Sequence, residues 1–236
     1  MRALIIIPTY NEVENLKMLI DQILNSTPET LEVLVVDDGS PDGTGEIAKQ
    51  LSQASARVHL LERSKKMGLG SAYVAGFRWG LNKTFEAFIE MDADFSHDPK
   101  YLSVMLSNLE RNDVVMGSRY VVGGGTENWT LFRRILSRGG SLYSRLILGA
   151  PIRDFTGGFN GWKRPVLEVI DLDSLRSDGY SFQIELKYRA FKKNFKMAEF
   201  PILFVDRKLG RSKMNRRIVF EALRRVWQFR FSSRIS

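Results

Sequence analysis

Short apolar runs at residues 4–8, 32–37, 58–62, 87–91 and 114–118 alternate with longer stretches whose apolar residues recur every three or four positions. A run of five or six residues without polar alternation fits a strand covered on both faces, and the longer spacing fits a helix with one buried stripe. Together they predict an α/β chain with a Rossmann-like, mainly parallel sheet flanked by helices. In the first unit, Asn11 is placed to cap a helix with Glu14 three positions on, and Leu16, Leu19, Ile20, Ile23 and Leu24 share one face. Asp42 or Thr44 is expected to open the second helix, Ser71 the third, and Pro99 suits the first turn of a fourth.

The pattern changes near residue 120. A glycine cluster at 123–125 precedes a segment, 128–148, in which Leu131, Ile135, Leu142, Leu146 and Ile147 are interleaved with Arg133, Arg134, Arg138 and Arg145. This reads as one or two basic amphipathic helices suited to a membrane surface. Residues 157–204 mix short strands and helices, and a basic helix is expected over about 216–231. No repeat or boundary interrupts the chain, so 1–236 reads as one domain, with the amphipathic segment at about 120–150.

Composition narrows the chemistry. With 35 Lys and Arg against 27 Asp and Glu, the formal charge is +8, which favours anionic partners. The absence of cysteine excludes disulfides, thiolate nucleophiles and cysteine zinc sites, and two histidines leave little for a zinc cluster. No uncharged stretch approaches the roughly 18 apolar residues of a spanning helix, and residues 3–7 are too short for a signal peptide. A cytoplasmic chain is expected. Trp129, Phe132, Trp227, Phe229 and Phe231 lie among arginines, but nothing resembles a nucleic-acid module.

Ligands of open parallel sheets sit beyond the carboxyl ends of the strands, so the polar residues just after each run carry the functional signal. Asp92-Ala93-Asp94 follows the fourth run, its two carboxylates within reach of one Mg²⁺ or Mn²⁺ that would bridge them to a diphosphate; a capped surface turn is the alternative. Asp37 and Asp38 end the second run, where a carboxylate can bond a base or ribose, while Asp42 reads better as a cap. Gly68-Leu69-Gly70-Ser71-Ala72-Tyr73 lacks the third glycine of a dinucleotide fingerprint, and no P-loop occurs. Arg207, Lys208, Arg211 and Lys213 form a basic loop that either closes over phosphates or is simply solvated. Arg119, after the fifth run, is placed to join the same anion site.

Taken in order, Pro8-Thr9-Tyr10-Asn11-Glu12, Val36-Asp37-Asp38-Gly39-Ser40, Gly68-Leu69-Gly70, Asp92-Ala93-Asp94, Gly117-Ser118-Arg119-Tyr120, Glu127-Asn128-Trp129 with Arg133, and residues 207–213 closely resemble the inverting family 2 glycosyltransferases. Within them the set is most similar to the dolichol-phosphate (polyprenol-phosphate) mannose synthases, over nearly the whole chain. The resemblance implies a GT-A fold and transfer of mannose from GDP-mannose to dolichyl or polyprenyl phosphate. Carried over, Pro8, Tyr10, Glu12, Val36 and Asp38 would hold the guanosine portion. Asp92, Ala93 and Asp94 would bracket the diphosphate, with Asp94 the principal metal ligand and Ser96 standing where some relatives have a glutamine ligand. Arg119, Arg207 and Lys213 would bind phosphate or sugar, and Arg133 with 128–148 would meet the acceptor.

The resemblance also implies a single in-line displacement with inversion. Asp92, Asp94, Arg119 and Arg133 form its catalytic set, and Asp154 is a candidate positioning group. Some members carry transmembrane helices after the catalytic part; this chain, ending at Ser236, resembles the shorter form. That form works peripherally at the cytoplasmic face of a membrane or with a membrane-embedded partner. Two other readings stay open: a family 2 transferase moving glucose or another sugar from a UDP-sugar, and a basic membrane- or nucleic-acid-binding module.

Overall fold

In the computed structural model the described residues are 1–175, 177, 179–206 and 216–232, with side chains of the last segment described from 223 onward. Strands β1 (Ala3–Thr9), β2 (Leu31–Asp37), β3 (Val58–Glu62), β4 (Ala87–Glu90) and β5 (Val114–Ser118) coincide with the five apolar runs to within about two residues. Between them lie α1 (Val13–Ser26), α2 (Thr44–Ala54), α3 (Leu69–Leu81) and α4 (Leu102–Leu109). The second half adds β6 (Gly125–Glu127), α5 (Leu131–Leu148), β7 (Asn160–Lys163), α6 (Arg164–Val169), α7 (Gly179–Lys192), β8 (Met197–Pro201), β9 (Leu203–Val205) and α8 (Arg216–Phe231).

The main sheet runs β3-β2-β1-β4-β7-β5-β8, and β6 pairs with β9 in a two-stranded sheet. Every ladder of the main sheet is parallel except those of β7, which runs antiparallel between β4 and β5. The unbroken apolar runs have the expected cause, because both sheet faces are covered. From β1, Leu4 and Ile6 face Ala72, Tyr73 and Phe77 of α3, while Ala3, Ile5 and Ile7 face Leu16, Leu19, Ile20 and Ile23 of α1. The architecture is that of a GT-A fold.

Local expectations fare unevenly. Asn11 does not cap α1. It takes a left-handed φ of 61°, and α1 starts at Val13 with no side-chain bond from its own cap residue. The loop after β2 supplies the missing acceptors: Val13 N–H donates to Asp42 Oδ2 (3.2 Å) and Glu12 N–H to Thr44 Oγ1 (3.0 Å). Asp42 also accepts from the Thr44 amide and hydroxyl; burial raises its pKa, but these bonds outweigh that and lower it. Helix α3 starts at Leu69, two residues before Ser71, whose hydroxyl instead accepts from Arg63. Asp98 caps the short turn that begins at Pro99. The 128–148 segment forms a single helix, α5, capped by the Thr130 side chain and ended by Gly149 in the left-handed region.

Two glycines of helix α3 exist for packing. A Cβ at Gly76 would lie 2.5 Å from Ile6 Cγ2, and one at Gly80 would lie 2.5 Å from Phe88 Cε1. Helix α3 therefore rests on the sheet at glycine distance. Gly139 in α5, by contrast, has nothing within 4 Å of an added Cβ. Urea unfolding should show Gly76→Ala destabilised by about 1–3 kcal/mol through overpacking, and Gly139→Ala stabilised by up to ~1 kcal/mol through helix propensity.

Candidate active site

The connections from β1 lead to β2 on one side, while β4 joins its other edge, so the sheet changes direction at β1. Such a switch point leaves a crevice beyond the carboxyl ends of the strands. A cleft of about 370 Å³ occupies it. Pro8, Tyr10 and Glu12 reach it from the end of β1, Asp38 from β2, Asp92, Ala93, Asp94 and Ser96 from β4, Arg119 from β5, and Arg133 from the start of α5. Val36 does not line it: its side chain is fully buried in the core beneath α3. Arg207 and Lys213 lie outside the described residues.

The adjacent acids after β2 have different work. Asp37 accepts from Thr9 Oγ1 (2.9 Å) and from the amide and hydroxyl of Ser40 (2.9 and 2.6 Å), so it closes the turn. Asp38 accepts from Arg63 Nε (2.5 Å) and the Met67 amide (3.0 Å), ordering the loop ahead of α3 at the cleft. That loop carries Lys66, whose Nζ lies 4.0 Å from the Tyr10 ring centroid. A planar ring backed by a cation and flanked by carboxylates suits a base and ribose.

Beyond β4 the chain turns sharply, with Phe95 at a φ of 60°. Asp92 Oδ1 accepts from Tyr73 Oη (3.2 Å), the Asp92 amide donates to His97 Nδ1 (3.1 Å), and the Ser96 amide donates to Asp94 Oδ1 (3.1 Å). Because Nδ1 accepts, the neutral ring carries its proton on Nε2. Burial lowers the His97 pKa and outweighs the opposing pull of Asp92 and Asp94. His97 thus props the loop as a neutral ring stacked on Phe159. Burial and the carboxylates of Asp92 and Glu90 push the Tyr73 phenol well above its ordinary value, so it stays a donor.

A divalent cation fits this loop. The donors are hard carboxylate oxygens, and Ser96 Oγ is buried there with no hydrogen-bond partner. Among the described residues no cluster of three His, Cys, Asp or Glu would cage a metal. The remaining ligands of such an ion would have to be phosphate oxygens and water, the usual habit of Mg²⁺.

The opposite wall rests on a buried ion pair. Asp154, fully buried, accepts from Arg119 Nε (2.7 Å), Nη2 (2.6 Å) and the Arg119 amide (3.0 Å). Thr156 Oγ1 takes a further bond from Arg119 Nη2 (2.9 Å). Burial acts to raise the Asp154 pKa, but Arg119 overrides it and holds the carboxyl below its ordinary range. Lys187, buried on α7, donates to the carbonyls of Asp154 and Gly157 (both 2.8 Å), and burial drops its own pKa to about 8. Glu199 accepts from the Arg153 and Asp154 amides (2.8 and 2.9 Å). Asp154 therefore fixes the plane of the Arg119 guanidinium. Arg133 lies over the Trp129 ring (4.2 Å to the centroid) and pairs with Asp206 (2.5 Å).

Lys66, Thr156, Tyr180, Gln183, Phe204 and Asp206 also line the cleft, yet none belongs to the motifs that mark the site in the sequence. The polar residues Gln183 and Lys187, buried among the apolar positions of α7, were the legible signal. Next to the cleft, and sharing Trp129, Thr156 and Tyr180 with it, runs an apolar groove of about 290 Å³ between α5, α7 and α8. On the outer face of α5, Leu131, Ile135, Leu142 and Leu146 form an exposed apolar stripe beside an exposed row of Arg134, Arg138 and Arg145. No helix among the described residues is long and apolar enough to cross a membrane.

The glycosyl transferase family 2 profile matches residues 4–171. The chain is 46% identical over 236 residues to a polyprenol monophosphomannose synthase of Mycolicibacterium smegmatis, covering 99% of this chain and 89% of that one. It is 44% identical over 234 residues to an undecaprenyl-phosphate mannosyltransferase of Micrococcus luteus, covering 99% and 96%. In fold it is similar to glucosyl-3-phosphoglycerate synthase from Mycobacterium tuberculosis, in a crystal structure with Mn²⁺, UDP and glucosyl-3-phosphoglycerate. The TM-score is 0.67 at 17% identity, over 96% of this chain and 77% of that one.

The Arg119 and Asp154 pair yields a stability test. Removing one partner leaves a buried charge uncompensated, so Asp154→Ala should lose about 3–5 kcal/mol in urea unfolding at pH 7. The carboxyl's folded pKa is depressed, so its contribution is present above the unfolded value and lost as pH falls through the folded one. The gap between wild type and variant should accordingly narrow on acidification.

Proposed function

The chain belongs to glycosyl transferase family 2, and from that premise we propose that it transfers mannose from GDP-mannose to dolichyl or polyprenyl phosphate. The products would be GDP and the β-mannosyl phosphate lipid, with inversion at the anomeric carbon. The names of the two relatives support the mannosyl and polyprenyl-phosphate parts of this reading. The observation that carries it is the neck between the polar cleft and the apolar groove. Trp129, whose buried Nε1 has no hydrogen-bond partner, lines both, and Arg133, whose buried Nε has none either, lies over its ring on the cleft side. A ligand with an anionic head and an apolar tail satisfies both halves: the head takes the orphan donors and the tail the groove.

In this reading Tyr10, Lys66 and Asp38 receive the nucleoside, and Asp92, Asp94 and Ser96 hold a Mg²⁺ or Mn²⁺ ion. When bound, the ion supplies charge neutralisation to the diphosphate leaving group. Arg119 is oriented by Asp154, and Arg133 by Asp206. Each guanidinium has five donors, so a carboxylate partner fixes its plane and still leaves donors for the acceptor phosphate. Holding that phosphate against repulsion from the donor diphosphate is an alignment effect. The acceptor, a phosphate monoester with a second pKa near about 6, is largely dianionic at neutral pH and attacks without a strong base. Consistent with this, His97 keeps a structural bond. Attack from the face opposite the departing diphosphate yields inversion.

The exposed stripe of α5 supports membrane docking. Its leucines and isoleucine would enter the interface while Arg134, Arg138 and Arg145 meet anionic headgroups, placing the mouth of the groove at the lipid.

Purified protein supplied with radiolabelled GDP-mannose, polyprenyl phosphate and Mn²⁺ should form an organic-extractable, acid-labile mannolipid that EDTA abolishes. Asp94→Ala should lower the rate about 10²–10³-fold. UDP-glucose in place of GDP-mannose tests the alternative donor, and an α-linked product would overturn single displacement. In flotation with anionic vesicles, the double variant Leu142→Glu, Leu146→Glu should bind about tenfold or more weakly than wild type, because it carries two charges into the interface. Equal flotation would remove α5 from the membrane contact.

A further inference from the structure

Beneath the cleft, strand β7 places Asn160 in register with Glu90 of β4 and Met116 of β5. Asn160 Nδ2 faces three acceptors: Glu90 Oε2 (2.6 Å), Gln183 Oε1 (2.8 Å) and the Gly157 carbonyl (3.2 Å). A backbone carbonyl cannot donate, which identifies the facing atom of Asn160 as its NH₂ group and the facing atom of Gln183 as its oxygen. The Gln183 amide is thereby oriented. Its Nε2 sits on a side chain 2% exposed that lines the cleft; it helps lower the pKa of the Glu90 carboxyl without forming a well-aligned hydrogen bond there, and it has no other partner.

What Nε2 faces is set by Gly158. A Cβ built there would lie 3.9 Å from Gln183 Nε2, 3.9 Å from Asp92 Oδ2 and 3.7 Å from His97 Cε1. Glycine thus keeps open a slot bounded on one side by an amide donor and on another by a carboxylate acceptor. A sugar hydroxyl both donates and accepts, so a single one meets the amide donor and the carboxylate acceptor together. We propose that Gln183 is a specificity-determining residue whose Nε2–H donates to a hydroxyl of the sugar being transferred, in a slot that Gly158 keeps open and Asn160 orients. The inference rests on the glycosyl-transfer reading above and adds to it the group that reads the sugar rather than the nucleotide.

The test separates sugar from nucleotide. Gln183→Met removes the donor at near-constant volume, and Gly158→Ala narrows the slot with contacts of ordinary length, so the fold tolerates it. GDP binding with Mn²⁺, measured by calorimetry, should stay within about twofold of wild type in both variants. The kcat/KM for GDP-mannose should fall about tenfold in Gln183→Met, the value of one neutral hydrogen bond. GDP-mannose analogues lacking one hydroxyl at a time provide the decisive arm. With one of them, wild type and Gln183→Met should become equal, since the bond is then absent from both. The proposal is overturned if Gln183→Met turns over GDP-mannose as wild type does, if GDP binding falls in parallel, or if the deficit persists with every deoxy donor. A wild-type chain that does not turn over GDP-mannose refutes the donor assignment and mannose as the occupant; wild-type turnover with an unaffected variant refutes the slot alone.

Discussion

A charge pair sealed from water, Arg119 with Asp154, is the constraint on which the far wall of the cleft depends. Taking both ions out of water is costly, and only tight geometry with further bonds offsets it. The further bonds are all present. Asp154 takes three bonds from Arg119, Thr156 a fourth, Lys187 ties the loop carbonyls to α7, and Glu199 ties the loop amides to β8. The end of β5, the 153–157 loop, α7 and β8 are consequently held in one arrangement. Trp129 and Phe204 then close around the Arg119 guanidinium, at 5.4 and 5.5 Å to their ring centroids. Stability is a secondary result; the principal one is a guanidinium with a fixed plane.

The antiparallel strand β7 extends the same logic to the floor. A purely parallel sheet would give β4 a neighbour whose polar residues lie at its own carboxyl end. Running the other way, β7 delivers Asn160 at its start, directly opposite Glu90. Burial raises the Glu90 pKa to about 8, opposed first by its bond from Asn160. A polar layer of Glu90, Asn160 and Gln183 therefore lies under the cleft where apolar packing would otherwise continue. Its members bond one another, but Glu90 Oε1, Asn160 Oδ1 and Gln183 Nε2 are left without hydrogen-bond partners, so the layer is only partly satisfied.

The outer half of the molecule follows a different principle. Helix α5 buries Ser141, Ser144 and Leu148 against the fold but leaves its leucine stripe outside, the reverse of ordinary core packing. Where that helix meets α7 and α8, the surface falls into the apolar groove that reaches the neck at Trp129. Polar chemistry and apolar surface thus converge at Trp129, Thr156 and Tyr180, with Arg133 over the Trp129 ring. The exposed arginine row beside the stripe adds positive charge to the same face of α5.

The parallel half of the sheet was legible because its causes are local. A strand buried on both faces must be apolar throughout, so five strands and the polar loops at their carboxyl ends could be read from residue order, including Asp38, Asp92, Asp94 and Arg119. The family resemblance was legible for the same reason, since the motifs occupy those loops. Residues 157–204 were not, because β7 and β8 are short strands defined by partners distant in sequence. Nor could the sequence assign work to residues whose meaning is a distance. Asn11 reads as a cap but yields that role to Asp42, 29 residues away from the Val13 amide it bonds. Val36 matches a binding motif yet packs in the core, and Asp154 gains its role only by meeting Arg119. Residue type and spacing determined which loops carry the chemistry; tertiary packing decided which atoms face one another, because hydrogen bonds and ion pairs depend on ångström-scale geometry that linear order does not encode.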